Sequence, residues 1–226
     1  MLANALYLTF HGIGAPVIPP ADGELKYFVS ADVFHETIAM LDTLEAVSGI
    51  ETHVTFDDGN VSDYDLGLPA LLAHRRSGKF FVLAGRIGQK GYLSADQIRE
   101  MAAAGMEIGT HGHGHVDWRR LDAAGRQLEL VDARRKIEDI LGAPVTSASL
   151  PFGGFDRQLL QRLKSLGYER VFTSSTGLAY TSQWFCPRRS LTDTFDPATS
   201  LDAMVGTDAG IRSLAYLWAR RMRYGI

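Results

Sequence analysis

Short apolar runs alternate along this chain with stretches whose apolar residues recur at helical spacing. Residues 6–10 form an apolar run that stops at His11-Gly12, and a run of that length bounded by turn residues predicts a buried strand. A loop rich in Pro and Gly follows over 14–23, with a short strand predicted over 27–29. Ser30 or Asp32 can then cap a helix on which Phe34, Ile38, Leu41 and Leu44 share one face. The alternation repeats with a strand over 51–56, a helix from Ser62 or Asp63 through Leu66, Leu68, Leu71 and Leu72, and a strand over 79–83. Ser94 with Gln97 makes a capping box before a short helix that ends at Gly105. A strand over 106–109 precedes a long helix over 121–141, whose apolar stripe carries Leu128, Leu130, Ile137 and Ile140. Strands over 145–150 and 170–173 flank a helix capped by Asp156. Extended segments over 180–189 and a terminal helix over 211–222 complete the pattern.

Strands separated by helices imply a parallel sheet covered on both faces, and six to eight such units favour barrel-like closure. With 226 residues, 46% hydrophobic and 22% charged, the chain suits one large domain over 1–226. A net charge of -3 without a concentrated basic stretch argues against nucleic acid as the main partner. The single cysteine, Cys186, excludes an internal disulfide framework and reads as a packing residue. Residues 1–10 lack the basic and apolar regions of a signal peptide, and no stretch approaches the roughly eighteen apolar residues of a membrane span. The expectation is a soluble, cytoplasmic protein.

The chemistry concentrates where predicted strands end. Asp57 and Asp58 close the 51–56 strand ahead of Gly59, and two neighbouring carboxylates repel each other unless a cation sits between them. His111 and His115 stand four apart after the 106–109 strand, with His113 between them. Imidazole nitrogens beside a carboxylate are a zinc-type ligand set, and three protein ligands leave one coordination position open. One Asp then stays free for proton transfer. Taken singly, Asp-Asp-Gly is a common turn and a Gly-His repeat is a solvated loop. In this order after strand ends, they point to a metal site. His113 reads as solvated, His53 and His74 as surface residues, and His35 as part of the first helix.

Three stretches carry a family likeness: Thr-Phe-Asp-Asp-Gly at 55–59, Glu-Ile-Gly-Thr-His-Gly-His-Gly-His at 107–115, and Leu-Pro-Phe-Gly-Gly-Phe-Asp at 150–156. They resemble the successive motifs of the polysaccharide deacetylases, the NodB-homology or carbohydrate esterase family 4 domain. The resemblance spans nearly the whole chain, including Leu68-Pro69, residues 105–109 and Leu166-Gly167-Tyr168. It implies a distorted (β/α) barrel of seven or eight strands. It also implies a hydrolase of carbon–nitrogen bonds other than peptide bonds, which removes N-acetyl groups from a sugar, oligosaccharide, polysaccharide or glycoconjugate. Carried over, Asp57 is the general base, and Asp58, His111 and His115 hold a divalent cation, Zn2+ first, with Co2+, Ni2+ or Mn2+ as alternatives. Such a cation polarises an acetamide and lowers the pKa of a bound water from ~15.7 towards ~7. A backbone N–H at the Pro151-Phe152 turn is implied for the oxyanion, with Trp118 and Arg188 as further substrate or oxyanion residues. Phe10, Trp118, Phe152 and Phe155 could stack on a sugar ring, though core packing competes for each.

Two departures from the family pattern stand out. The Arg that many members carry two residues before the Pro-aromatic pair is here Ser149; Arg188 and Arg189 are the candidate replacements, although an exposed loop cation is the plainer reading of either. No His follows His115. His11 is the candidate substitute as general acid, because the first strand of a closed barrel lies beside the last, as in the subgroup resembling poly-N-acetylglucosamine deacetylases. Two other readings of the same domain are a hydrolase of cyclic amides of the allantoin type and a degenerate saccharide-binding domain.

Overall fold

The first apolar run becomes β1 (Ala5–Phe10), buried at every position. Its alternate residues serve different layers, as strand geometry dictates. Leu6, Leu8 and Phe10 join the large cluster containing Phe34, Ile38 and Leu41, whereas Ala5 and Tyr7 pack with Phe81, Phe172 and Cys186. The protein is described here from a computed structural model, which describes residues 4–206 together with Ala219, Arg223 and Tyr224. Apart from Ala219, the helix expected over 211–222 lies outside the described residues.

After β1, two short strands, β2 (Gly12–Ile13) and β3 (Phe28–Val29), pair with each other outside the main sheet. Helix α1 (Ala31–Ser48) starts at Ser30, whose side chain accepts from the Val33 N–H, and ends at Gly49 with φ +68°. The chain continues through β4 (Glu51–Asp58), α2 (Leu68–Ala73), β5 (Gly78–Val82), α3 (Ala95–Ala103) and β6 (Glu107–Thr110). Next come α4 (Ala123–Gln127), α5 (Ala133–Leu141), β7 (Ser147–Ser149), α6 (Arg157–Ser165) and β8 (Arg170–Thr173). Strands β9 (Phe185–Pro187) and β10 (Arg189–Ser190) lead to α7 (Pro197–Val205).

The main sheet has eight strands in the order β10-β1-β4-β5-β6-β7-β8-β9, and every pairing is parallel. Its two outermost strands are successive pieces of one extended run, in which Phe185 pairs with Val171 on one side and Arg189 with Leu8 on the other. The sheet is therefore nearly closed into a (β/α) barrel, and Arg188 sits at the seam.

Several elements depart from the sequence pattern for identifiable reasons. Strand β4 runs on to Asp58, so both acidic residues belong to the strand itself. The helices expected from Ser62 and over 121–141 contain π-helical turns at Asp63–Gly67 and Leu128–Asp132. An extra residue per turn rotates the side-chain stripe, and Leu128 is consequently 42% exposed while Leu130 and Ile137 are buried. Helix α7 was not anticipated; it buries Leu201 and Met204, and Asp196 caps it. The capping box at Ser94 and Gln97 forms in both directions. Among the described residues, no helix is long and apolar enough to cross a membrane.

Candidate metal centre and active site

Strand β4 brings Asp57 and Asp58 to the C-terminal rim of the barrel, where consecutive strand residues must face opposite ways. Asp57 points into the barrel and is 1% exposed. Asp58 adopts φ +77°, a left-handed conformation that Asp tolerates better than most residues. His115 and Phe152 also have positive φ, at +55° and +57°. Such outliers gather where a site over-determines its backbone.

Strand β6 delivers the histidines. The Nδ1 of His111 lies 2.9 Å from the Ser149 carbonyl oxygen, which can only accept, so the ring's proton sits on Nδ1. Its Nε2 is then free and lies 3.7 Å from Asp58 Oδ1. His115 Nδ1 lies 3.4 Å from Glu24 Oε1, and its Nε2 lies 3.7 Å from the same Asp58 Oδ1. Ligand atoms of Asp58, His111 and His115 all lie within 4.8 Å of one another. Asp58 Oδ1 is buried without a hydrogen-bond partner. Burial, with the Asp57 charge added, pushes the Asp58 carboxyl up to about 8, while burial pushes His111 down to about 3 and keeps it neutral. Two imidazole Nε2 atoms facing a buried carboxylate oxygen that has no partner, one of the rings oriented by the Ser149 carbonyl, are a donor set that suits a divalent cation.

Asp57 is organised differently. Arg188 is fully buried and donates from Nη1 to Asp57 Oδ1 at 2.8 Å and from Nη2 to Oδ2 at 2.7 Å. The Ser149 hydroxyl donates to Oδ2 at 3.0 Å and accepts from Arg188 Nη2 at 2.6 Å. Burial alone would raise the Asp57 carboxyl, but the Arg188 guanidinium outweighs it and holds the group well below the usual carboxylate range. The exposed-cation reading of Arg188 is thus overturned. The seam between β9 and β10 carries its guanidinium inward, and Ser149 leaves the room that a larger side chain would fill.

His11 Nε2 lies 3.9 Å from Asp57 Oδ2, and the side chain is 16% exposed. Burial pushes its imidazole down to about 4, and its buried Nδ1 has no hydrogen-bond partner. A cavity of about 280 Å³ opens over these residues, with His11, Asp57, Asp58, His111 and His115 at its floor. Glu24, Tyr27, Arg86, Tyr92 and Phe152 form its walls. The Arg86 guanidinium lies 5.0 Å from the Tyr92 ring centre.

Not every expected site residue reaches this cavity. Trp118 is 3% exposed, packs with Leu130, Leu150 and Leu159, and directs its Nε1 to Glu129. Pro151 is buried beneath the turn, so Leu150 and Phe152 line the cavity in its place. Phe152 is 64% exposed with its ring 4.5 Å from that of His115. Phe10 belongs to the core, and Phe155 packs against Phe185. His113 contributes backbone contacts and lies outside the ligand cluster. His74 is exposed, but His53 is half-buried, stacked 4.4 Å from Tyr7 inside the barrel. The sequence reading missed Glu24, because nothing in the Pro- and Gly-rich loop before it signals that it folds over the rim.

A family model described as polysaccharide deacetylase matches residues 46–171, more than half of the chain. A chitin deacetylase of Pestalotiopsis sp is 30% identical over 127 residues, covering 56% of this chain and 42% of that protein. The peptidoglycan-N-acetylmuramic acid deacetylase PdaA of Bacillus subtilis (strain 168) is 32% identical over 127 residues, covering 54% of this chain and 46% of that one. The chain thus spans less than half the length of these curated relatives. Among solved structures, the Streptococcus pyogenes deacetylase PplD in complex with acetate aligns with a TM-score of 0.76 at 21% identity, covering 90% of this chain and 99% of that one. IcaB from Ammonifex degensii aligns with a TM-score of 0.73 at 21% identity, covering 90% and 98%. Both share the barrel fold.

Proposed function

Because the chain belongs to the polysaccharide deacetylase family, we propose that it is a metal-dependent hydrolase that removes N-acetyl groups from an N-acetylated sugar, oligosaccharide or polysaccharide. The observation that carries this reading is the buried, unpartnered Asp58 Oδ1 facing two Nε2 atoms at 3.7 Å, beside an Asp57 that Arg188 keeps ionised. Asp58, His111 and His115 would hold the cation. When bound, a divalent ion, zinc first for a donor set of two nitrogens and one oxygen, would polarise the acetamide carbonyl and acidify water.

The chain's own groups divide the remaining work. Arg188 and Ser149 already occupy the Asp57 oxygens, and the guanidinium favours the ionised carboxylate. Asp57 accepts the proton lost by the attacking water. A guanidinium-bound carboxylate is a weak base, so that proton is readily given up again. His11 is the residue placed to carry it to the departing amine, at 3.9 Å from Asp57 Oδ2. Burial favours its neutral form, so we assign it the part of a relay that takes its proton from Asp57, the carboxylate its Nε2 faces. Tyr27, Tyr92 and Phe152 offer aromatic surface to the apolar faces of a sugar ring.

The test is acetate release from a panel of N-acetylated mono-, oligo- and polysaccharides by zinc-loaded protein, with Asp57→Asn as control. Release from at least one class, reduced by ~10²–10⁴ in the variant, is expected for a positioned general base. Zinc-loaded protein that frees no acetate from any of them would overturn the reading.

A further inference from the structure

The loop between His111 and His115 is held by a carboxylate that takes no part in the site described so far. Glu129 is 3% exposed and lies in the π-helical turn Leu128–Asp132. Its Oε2 accepts the His113 backbone N–H at 2.7 Å, and its Oε1 accepts the next N–H, that of Gly114, at 2.9 Å. Trp118 Nε1 donates to Oε2 at 3.4 Å. Burying a carboxylate is costly unless its lone pairs are filled, and here all three named partners are N–H donors drawn from the loop and its exit.

The glycines of the His-Gly-His-Gly-His run make room for this clamp. A Cβ on Gly112 would fall 2.4 Å from Glu129 Oε2, and one on Gly114 would fall 3.2 Å from Oε1. Gly112 also has φ +86°, which a side chain would resist. The loop's first end is fixed separately, by the bond between His111 and the Ser149 carbonyl. Its far end is His115, held at φ +55°. The clamp holds the two backbone N–H groups, those of His113 and Gly114, that lie between His111 and His115 in the chain, and the two rings stand 5.2 Å apart.

We infer that Glu129 is a positioning residue that sets the span between His111 and His115, and through it the affinity of the site for its cation. The inference rests on the metal-centre reading above. An amide cannot replace the carboxylate, because Gln has one acceptor oxygen and its NH2 would face the second N–H.

The test measures the zinc dissociation constant of the full chain by competition with a chromophoric chelator, alongside thermal midpoint and acetate release. Glu129→Gln should bind zinc about 10–100-fold more weakly, the effect typical of partners that orient metal ligands, and should recover kcat at saturating zinc. A residue that only supports the fold would lower the midpoint and leave the affinity of the folded protein unchanged. Should Glu129→Gln not fold, Gly114→Ala crowds the clamp from the loop side and should weaken zinc binding several-fold. Wild-type affinity in whichever variant folds would overturn the inference. Wild-type protein that takes up no zinc would instead overturn the metal-centre reading, and this inference with it.

Discussion

Asp57 and Asp58 are neighbours in the chain, yet their acidities shift in opposite directions, and the difference comes from one residue each can or cannot reach. Asp57 meets Arg188 through two bonds, whereas Asp58 Oδ1 meets only two imidazoles and no donor. Removing the guanidinium takes away the largest influence that opposes burial at Asp57, so Arg188→Gln should raise the Asp57 pKa. Because the wild-type carboxyl is held below its unfolded value near ~3.9, its stabilising contribution is present above that pH and is lost only as pH falls through the lower folded value. In Arg188→Gln the acid limb of kcat/KM should move to higher pH, and the urea midpoint should report a loss of about 3–5 kcal/mol, as for a broken buried pair. An unchanged acid limb in a folded variant would remove Arg188 from the account of Asp57. Asp58→Ala, His111→Ala and His115→Ala should each abolish zinc uptake and acetate release together; full occupancy with normal turnover in any of them would exclude that residue as a ligand. His11→Ala should keep zinc and lose at least ~10²-fold in kcat, and unchanged kcat would assign the ring to structure. The acidic pair and the paired histidines were legible because each stands at a strand end. Arg188 was not, since its partner lies 131 residues away and nothing local distinguishes a seam residue from a loop cation.

At the scale of elements, strand ends and helix caps follow from short-range chemistry and could be read directly. Ser30, Ser94 and Asp156 cap helices as expected, each accepting from a backbone N–H in the first turn. The π-helical turns could not be read, because a stripe of apolar residues at 3.6 spacing does not reveal an inserted residue; Leu128 was placed on the wrong face for that reason. Helix α7 was hidden by its mixed composition, with Pro197, Leu201 and Met204 as its buried residues. Strand β6 carries a constraint that its sequence does record. A Cβ on Gly109 would fall 2.5 Å from the Phe81 ring and 2.7 Å from Ser147 Oγ, so this strand passes where only glycine fits. Gly109→Ala should therefore cost about 1–3 kcal/mol, the range for overpacking a filled interior, measured by chemical denaturation. A variant as stable as the parent would mean that the interior has more room than the Phe81 and Phe172 packing indicates.

For the whole molecule, the barrel was legible as a class because strands and helices alternate from end to end, and that alternation admits a covered parallel sheet. Its mode of closure was not, since β9 and β10 together span few residues and read as loosely extended chain. That closure nevertheless decides the chemistry: the run joining β8 to β1 carries Arg188 across to Asp57, and His11, the residue after β1, lies beside it. The rim thus separates a carboxylate neutralised by protein from one that lacks a counter-charge, and the central claim is that a cation supplies it. The most direct measurement is acetate release followed while metal-stripped protein is titrated with zinc. The account predicts a rise that levels off at one equivalent per chain and is absent in Asp58→Ala. Undiminished release in the presence of chelator, or release in Asp58→Ala with the wild-type zinc dependence, would contradict it.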